Sequence, residues 1–209
     1  LLLVSYITDT QIQAQSDTAH YVLPEFEQGT VKMKDGHSEV AIMDYNTLTE
    51  EMIFYKNGVK LALDSLEKID TVYLESRIFV PQNKVFYEIL VKGPVSLFVQ
   101  HKSNPVDGGN PSGYGETTET GASKNVASVT NSVHTYKLEL PNNYYVKDAT
   151  QFWITRKGIF YKANTSNQIS KVFPEKSKEI KQFIKENKLD LKNTDDLIKL
   201  IVKCNEFAR

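Results

Sequence analysis

Across residues 30–101 apolar side chains recur at every second position. A strand sends successive side chains to opposite faces, so this period dictates half-buried β-strands and excludes an all-helical fold. Val31 and Met33 alternate with Lys32 and Lys34, and Asp35-Gly36 then predicts a two-residue hairpin turn. Such a turn needs positive φ, which Asp and Gly tolerate best. Val40 and Ile42 lie on the return strand. Met52 and Phe54 alternate with Ile53 and Tyr55 up to a second turn at Asn57-Gly58, after which Val59, Leu61 and Leu63 share a face. Further strands are expected over residues 69–74, 77–80, 85–91 and 95–99. The segment 85–91 is nearly all apolar, as a strand buried on both faces would be.

The pattern changes at residues 103–132, where Asn, Gly, Pro, Ser and Thr dominate, and this stretch reads as a flexible loop. Strands resume at 135–140, 152–156 and 159–162, the last two joined by Lys157-Gly158. From residue 173 the period becomes helical. Pro174 and Glu175 suit a first turn, with Ile180, Phe183 and Ile184 as an apolar stripe. A second helix should start after Asn193-Thr194, with Leu197, Leu200, Ile201 and Cys204 on its buried side. Two short helices cannot persist alone in water, so they should dock on the sheet. The fold class implied is mainly β (α+β). It is an antiparallel meander forming a barrel or sandwich, closed by a C-terminal pair of short α-helices in a single domain over residues 16–209.

Composition narrows the function. The chain has 209 residues, 40% of them hydrophobic, with a net charge of −1. That supports a sizeable core and argues against a nucleic-acid partner. One cysteine rules out an intramolecular disulfide and any Cys-rich zinc site. No apolar run reaches the ~20 residues of a membrane-spanning helix. The first residues, Leu1-Leu2-Leu3-Val4-Ser5-Tyr6-Ile7, followed by polar residues and Ala14-Gln15, read as the remnant of a secretory signal peptide over residues 1–15.

The tail from Phe173-Pro174-Glu175 through Lys188, and Asp195-Asp196-Leu197-Ile198-Lys199-Leu200 after it, resembles the C-terminal ending of uncharacterised exported β-rich proteins of Bacteroidetes-type bacteria. Their early Gly-Thr-Val strand and Asp-Gly turn are matched by Gly29-Thr30-Val31 and Asp35-Gly36. The resemblance covers the first strands and the tail. It implies a periplasmic or outer-membrane-associated address and brings no catalytic residues with it. The same address makes Asp17-Thr18-Ala19, Asp64-Ser65-Leu66 and Asp70-Thr71-Val72 matches to an O-glycosylation pattern, with Thr18, Ser65 and Thr71 as acceptors.

Local motifs for catalysis are absent. His20, His37, His101 and His134 are far apart, with no His-Glu-x-x-His, so neither metal nor cofactor is expected. Cys204, on an apolar helix face, reads as an inert thiol, and no Gly-x-Ser-x-Gly occurs. Glu88 stands out as a carboxylate inside an apolar strand, where it needs a partner or a cavity. The aromatics Tyr144, Tyr145 and Trp153 offer a surface for sugars or apolar ligands. Tyr144, Tyr145, Trp153 and Glu88 are therefore the candidate ligand-binding residues. The expected function is non-catalytic binding of a small ligand or envelope component. The alternative is a hydrolase of envelope glycans or peptides using unassigned Glu residues.

Overall fold

The computed structural model of the protein describes residues 20–107 and 144–207. Its first eight strands are β1 (Glu27–Met33), β2 (Ser38–Asn46), β3 (Glu51–Lys56), β4 (Val59–Ala62), β5 (Ile69–Leu74), β6 (Arg77–Gln82), β7 (Val85–Val91) and β8 (Val95–Gln100). Strands β9 (Ser103–Asp107), β10 (Tyr144–Asp148), β11 (Gln151–Arg156) and β12 (Ile159–Lys162) follow, then helices α1 (Ser166–Val172), α2 (Ser177–Glu186) and α3 (Thr194–Phe207). Ten strands form one antiparallel sheet in the order β12-β11-β8-β7-β6-β5-β1-β2-β3-β4, and β9 and β10 form a separate ribbon. The sheet is thus two four-stranded meanders, β1–β4 and β5–β8, joined where β5 returns to pair with β1, with the β11–β12 hairpin added beside β8.

Turn chemistry sets several of these joints. Asn57 and Gly58 have φ of 53° and 77°, and Lys157 and Gly158 have 54° and 78°, the paired positive values of a tight two-residue hairpin. The turn at Asp35-Gly36 is longer than expected: Lys32 pairs with Ser38, and only Gly36 of the residues between them takes positive φ. Gly29 is required for a different reason. A Cβ there would sit 2.6 Å from Met43 Sδ, which lies across β1.

The register places Val31, Met43, Tyr45, Met52, Val72 and Phe79 on one face, together with Phe86, Val99 and Ile154. That face carries two apolar cores. In the first, the sheet bends over itself. The rings of Tyr45 on β2 and Phe79 on β6 stack with centroids 5.6 Å apart. Three strand-to-strand steps separate those strands, about 14 Å in a flat sheet. Tyr45 also meets Phe86 edge-on, and its hydroxyl donates to the Phe86 carbonyl at 3.4 Å. The bend stops short of closure: β4 and β12 remain edges, so the expected barrel does not form.

In the second core the helices cover Val95, Leu97, Val99, Phe152 and Ile154. Helix α3 lies on β7 and β8, α1 lies against β12, and α2 bridges α1 and α3. Leu197, Leu200, Ile201 and Cys204 are buried as the spacing predicted. Two corrections follow. The C-terminal unit has three helices, because Thr165 caps the short α1 by accepting from Gln168 N–H at 3.2 Å. Pro174 opens a 3₁₀ turn, and α2 begins at Ser177 and packs chiefly on α1 and α3, with Ile180 buried in the helix-covered core. Asn205 ties α3 down, its side chain accepting from Val95 N–H at 2.8 Å and donating to Val95 C=O at 2.9 Å.

The β9–β10 ribbon continues the β8–β11 ladder beyond a break at residues 101–102 and 149–150. Residues 103–107 are therefore strand rather than the start of the polar loop; the rest of that loop, the strand expected at 135–140 and the N-terminal leader lie outside the described residues. A latch holds the break. Ser103 N–H donates to Thr47 C=O at 2.9 Å, and Gln100 and Lys102 both donate to Glu50 in the β2–β3 turn.

Candidate functional site: a cleft at the seam of the two cores

On β7, Phe86 belongs to the bent-sheet core, while Leu90 packs on the helix-covered core. Alternation puts Glu88 between them on the same face, at the seam. A cleft of about 790 Å³ opens there, lined on its apolar side by Leu90, Val99, Phe152 and Leu191. Its polar lining includes Arg77, Glu88, His101, Asp148 and, from the α2–α3 connection, Lys192.

Three strands assemble the floor. Phe79 pairs with Glu88 and Glu88 with Val99, so Arg77, two residues before Phe79, and His101, two residues after Val99, converge on Glu88. Arg77 Nη1 donates to Glu88 Oε2 at 2.8 Å, and His101 Nε2 lies 2.6 Å from the same oxygen. His101 is wedged beside the Tyr45 and Phe79 rings at centroid distances of 6.3 and 6.2 Å. The Glu88 side chain is 8% exposed, against 19% for His101 and 33% for Arg77, so the acid lies beneath its two donors. Burial alone would raise the Glu88 pKa. The His101 hydrogen bond and the Arg77 charge outweigh that and hold it below its ordinary 4.5. Glu88 is an ionised anchor that fixes a guanidinium and an imidazole at the bottom of a partly apolar cleft.

Compared with protein-family models, curated proteins and solved structures, the chain matches none of them. Its own geometry carries the functional argument.

Of the four residues expected to bind ligand, only Glu88 lines the cleft. Trp153 is on the opposite face of the sheet, donating to Gln100 Oε1 at 3.0 Å and packing edge-on against Tyr87. Tyr144 and Tyr145 lie on the ribbon, opposite Asp107 and Val106, and Tyr145 is exposed. The aromatic cluster is therefore divided among elements and faces rather than gathered into one platform. Arg77, His101 and Lys192 were not singled out as a group. The signal for the first two was strand alternation on either side of Glu88; Lys192 comes from a distant loop and left none. Among the described residues no group of three His, Cys, Asp or Glu side chains could hold a metal ion. No described helix is long and apolar enough to cross a membrane. Cys204 is fully buried and burial pushes its thiol up to about 12. Of the glycosylation-like positions, Ser65 is partly exposed in the β4–β5 connection. Thr71 is almost covered and donates to Asp70 at 3.1 Å, and Thr18 is outside the described residues.

Proposed function

We propose that this chain is an exported bacterial envelope protein that binds a small ligand in the seam cleft without transforming it. The observation that carries this reading is the floor: a buried carboxylate whose Oε2 accepts from both Arg77 and His101. Held ionised, Glu88 is poorly suited to donate a proton, and its role is to preorganise two donors, which lowers the ordering cost of binding. The apolar wall and the cleft volume fit the general form of a small-molecule site. The leader-like Leu1–Ile7 stretch and the family resemblance of the tail support the envelope address.

A second reading has one observation in its favour. An imidazole oriented by a carboxylate is also the arrangement of a general base, so His101 with Glu88 keeps a hydrolase in play. The test is a thermal-shift and NMR screen of envelope-derived glycans, peptides and amphiphiles against the full chain. It is repeated with Thr194→Trp, an exposed position on the cleft rim. Ligands that lose their effect in T194W without being consumed support the proposal. Turnover abolished by His101→Gln would replace it with the hydrolase.

A further inference from the structure

The exposed chemistry of the cleft is more selective than its volume. The hidden group on the floor is the acid and the accessible groups are its donors, because Glu88 is covered by Arg77 and His101. Only Nη1 of the guanidinium is used by Glu88, and Arg77 keeps a third of its side-chain surface open beside the cavity. Lys192 also lines the cleft, exposed and without an ion pair among the described residues. The other acid in the lining, Asp148, is an exposed carboxylate with Oδ1 engaged by the Thr150 N–H and hydroxyl at 3.1 and 2.6 Å. Discrimination therefore rests on the free donors of Arg77 and Lys192 and not on a net positive lining. The same cleft carries the apolar side chains of Leu90, Phe152 and Leu191.

Building on the binding function proposed above, we infer that the ligand is an amphipathic anion. A carboxylate or phosphate head lies against Arg77, with the Lys192 charge also on the cleft lining, and an apolar body lies against Leu90, Phe152 and Leu191. The guanidinium supplies a fork of N–H donors that matches either oxyanion, while the ammonium supplies a point charge. Preorganisation by Glu88 matters here. A free arginine would have to be ordered by the ligand, whereas this one is already held.

The experiment titrates the full chain by ¹⁵N NMR with decanoate, decyl phosphate, decanol and acetate, each repeated on Arg77→Gln, Lys192→Gln and T194W. At least one ten-carbon anion should bind about tenfold or more tightly than decanol, with acetate far weaker, as loss of charge-assisted hydrogen bonds implies. Decanoate against decyl phosphate decides which head group is meant. R77Q should weaken the anion about tenfold and so narrow or abolish its advantage over decanol, the ratio of the two affinities being the readout. K192Q should weaken it several-fold, and this exposed position carries no folding penalty that could confuse the result. Decanol binding as tightly as the anions, with both lost in T194W, would overturn the anionic head and leave the cleft as a binding site. Anion binding that persists in T194W would overturn both, as would a failure of every probe to bind at millimolar concentration combined with a ligand screen insensitive to T194W. If the probes alone fail, the inference falls by itself.

Discussion

Replacing Arg77 by Ala should cost stability, and the structure sets the size of the loss. Glu88 is 8% exposed and accepts from two donors on one oxygen, so R77A leaves a buried carboxylate held by His101 alone of the two. Removing one member of a fully buried pair costs about 3–5 kcal/mol. Arg77 is 33% exposed, and water entering the cleft can replace part of its bond, so the expected loss is about 2 kcal/mol. In a chain of this length that lowers Tm by roughly 4–8 °C. The pH dependence provides a second readout. Glu88 is held below its ordinary 4.5, so it contributes stability above that pH and the contribution is lost as pH falls through its depressed folded value. Without Arg77, burial dominates and the Glu88 pKa should rise, moving the acid limb of the stability curve to higher pH. Glu88→Gln should cost less than R77A, because an amide oxygen can still accept and no charge remains buried. Urea unfolding followed by circular dichroism between pH 3 and 7 measures both effects. A loss below about 0.5 kcal/mol at pH 7 together with an unmoved acid limb would refute the assignment of Glu88 as an anchor held by Arg77.

Asp44 should act in the opposite direction. It is fully buried, burial raises its pKa from 3.8 to about 6, and backbone N–H groups of Tyr45 and Leu23 only partly offset this. A raised folded pKa means stability grows as pH falls from 6 toward 4, by at most about 3 kcal/mol, and Asp44→Asn should abolish that gain in urea midpoints taken at pH 7, 6 and 5. Asn205→Ala removes both bonds to Val95 and should cost about 1–3 kcal/mol in the same assay. An unchanged midpoint would mean α3 is held by its apolar face alone. Cys204, buried with its thiol pushed up to about 12, should resist a thiol reagent at pH 8 until the chain is unfolded in urea. Rapid labelling of the folded protein would contradict its placement.

What could be read from the sequence was local. Asn57-Gly58 and Lys157-Gly158 announced their turns because few residues tolerate positive φ. Asn83-Lys84 makes a similar turn, with φ of 52° and 69°, but lysine is not a turn former and gave no signal. Helix α1 is only seven residues, too short for a helical period to emerge. Glu88 was conspicuous as the one charge in an apolar strand, yet its partners depend on how β6, β7 and β8 align, which one strand's pattern does not determine. Trp153 drew attention as an aromatic, and its face was decided by pairing with Phe98 on β8, a non-local event. The bend that stacks Tyr45 on Phe79 left no trace, because curvature accumulates over several strands and no single residue encodes it.

The pairing of β8 with β11 also sets the order in which the molecule can assemble. Among the described residues the bent-sheet core draws on residues 22–86, most of whose strands are joined by short hairpin loops. The helix-covered core needs β11, which reaches β8 by pairing Gln151 with Gln100 across a long intervening stretch. Closing that stretch costs entropy before any contact repays it, so β11 joins late. Until it does, the helix-covered core lacks Phe152 and Ile154, and α1 lacks the β11–β12 hairpin it lies against. Folding therefore runs from the β1–β7 half, which forms a template, to the β11–α3 half, which condenses onto it. Pulse-labelled hydrogen exchange should show amides of β2 and β6 protected before those of β11 and α3, and simultaneous protection would refute the sequence of events. The seam cleft, lined from both halves, comes into being only at the last step, so a ligand can capture the finished protein and none of its precursors.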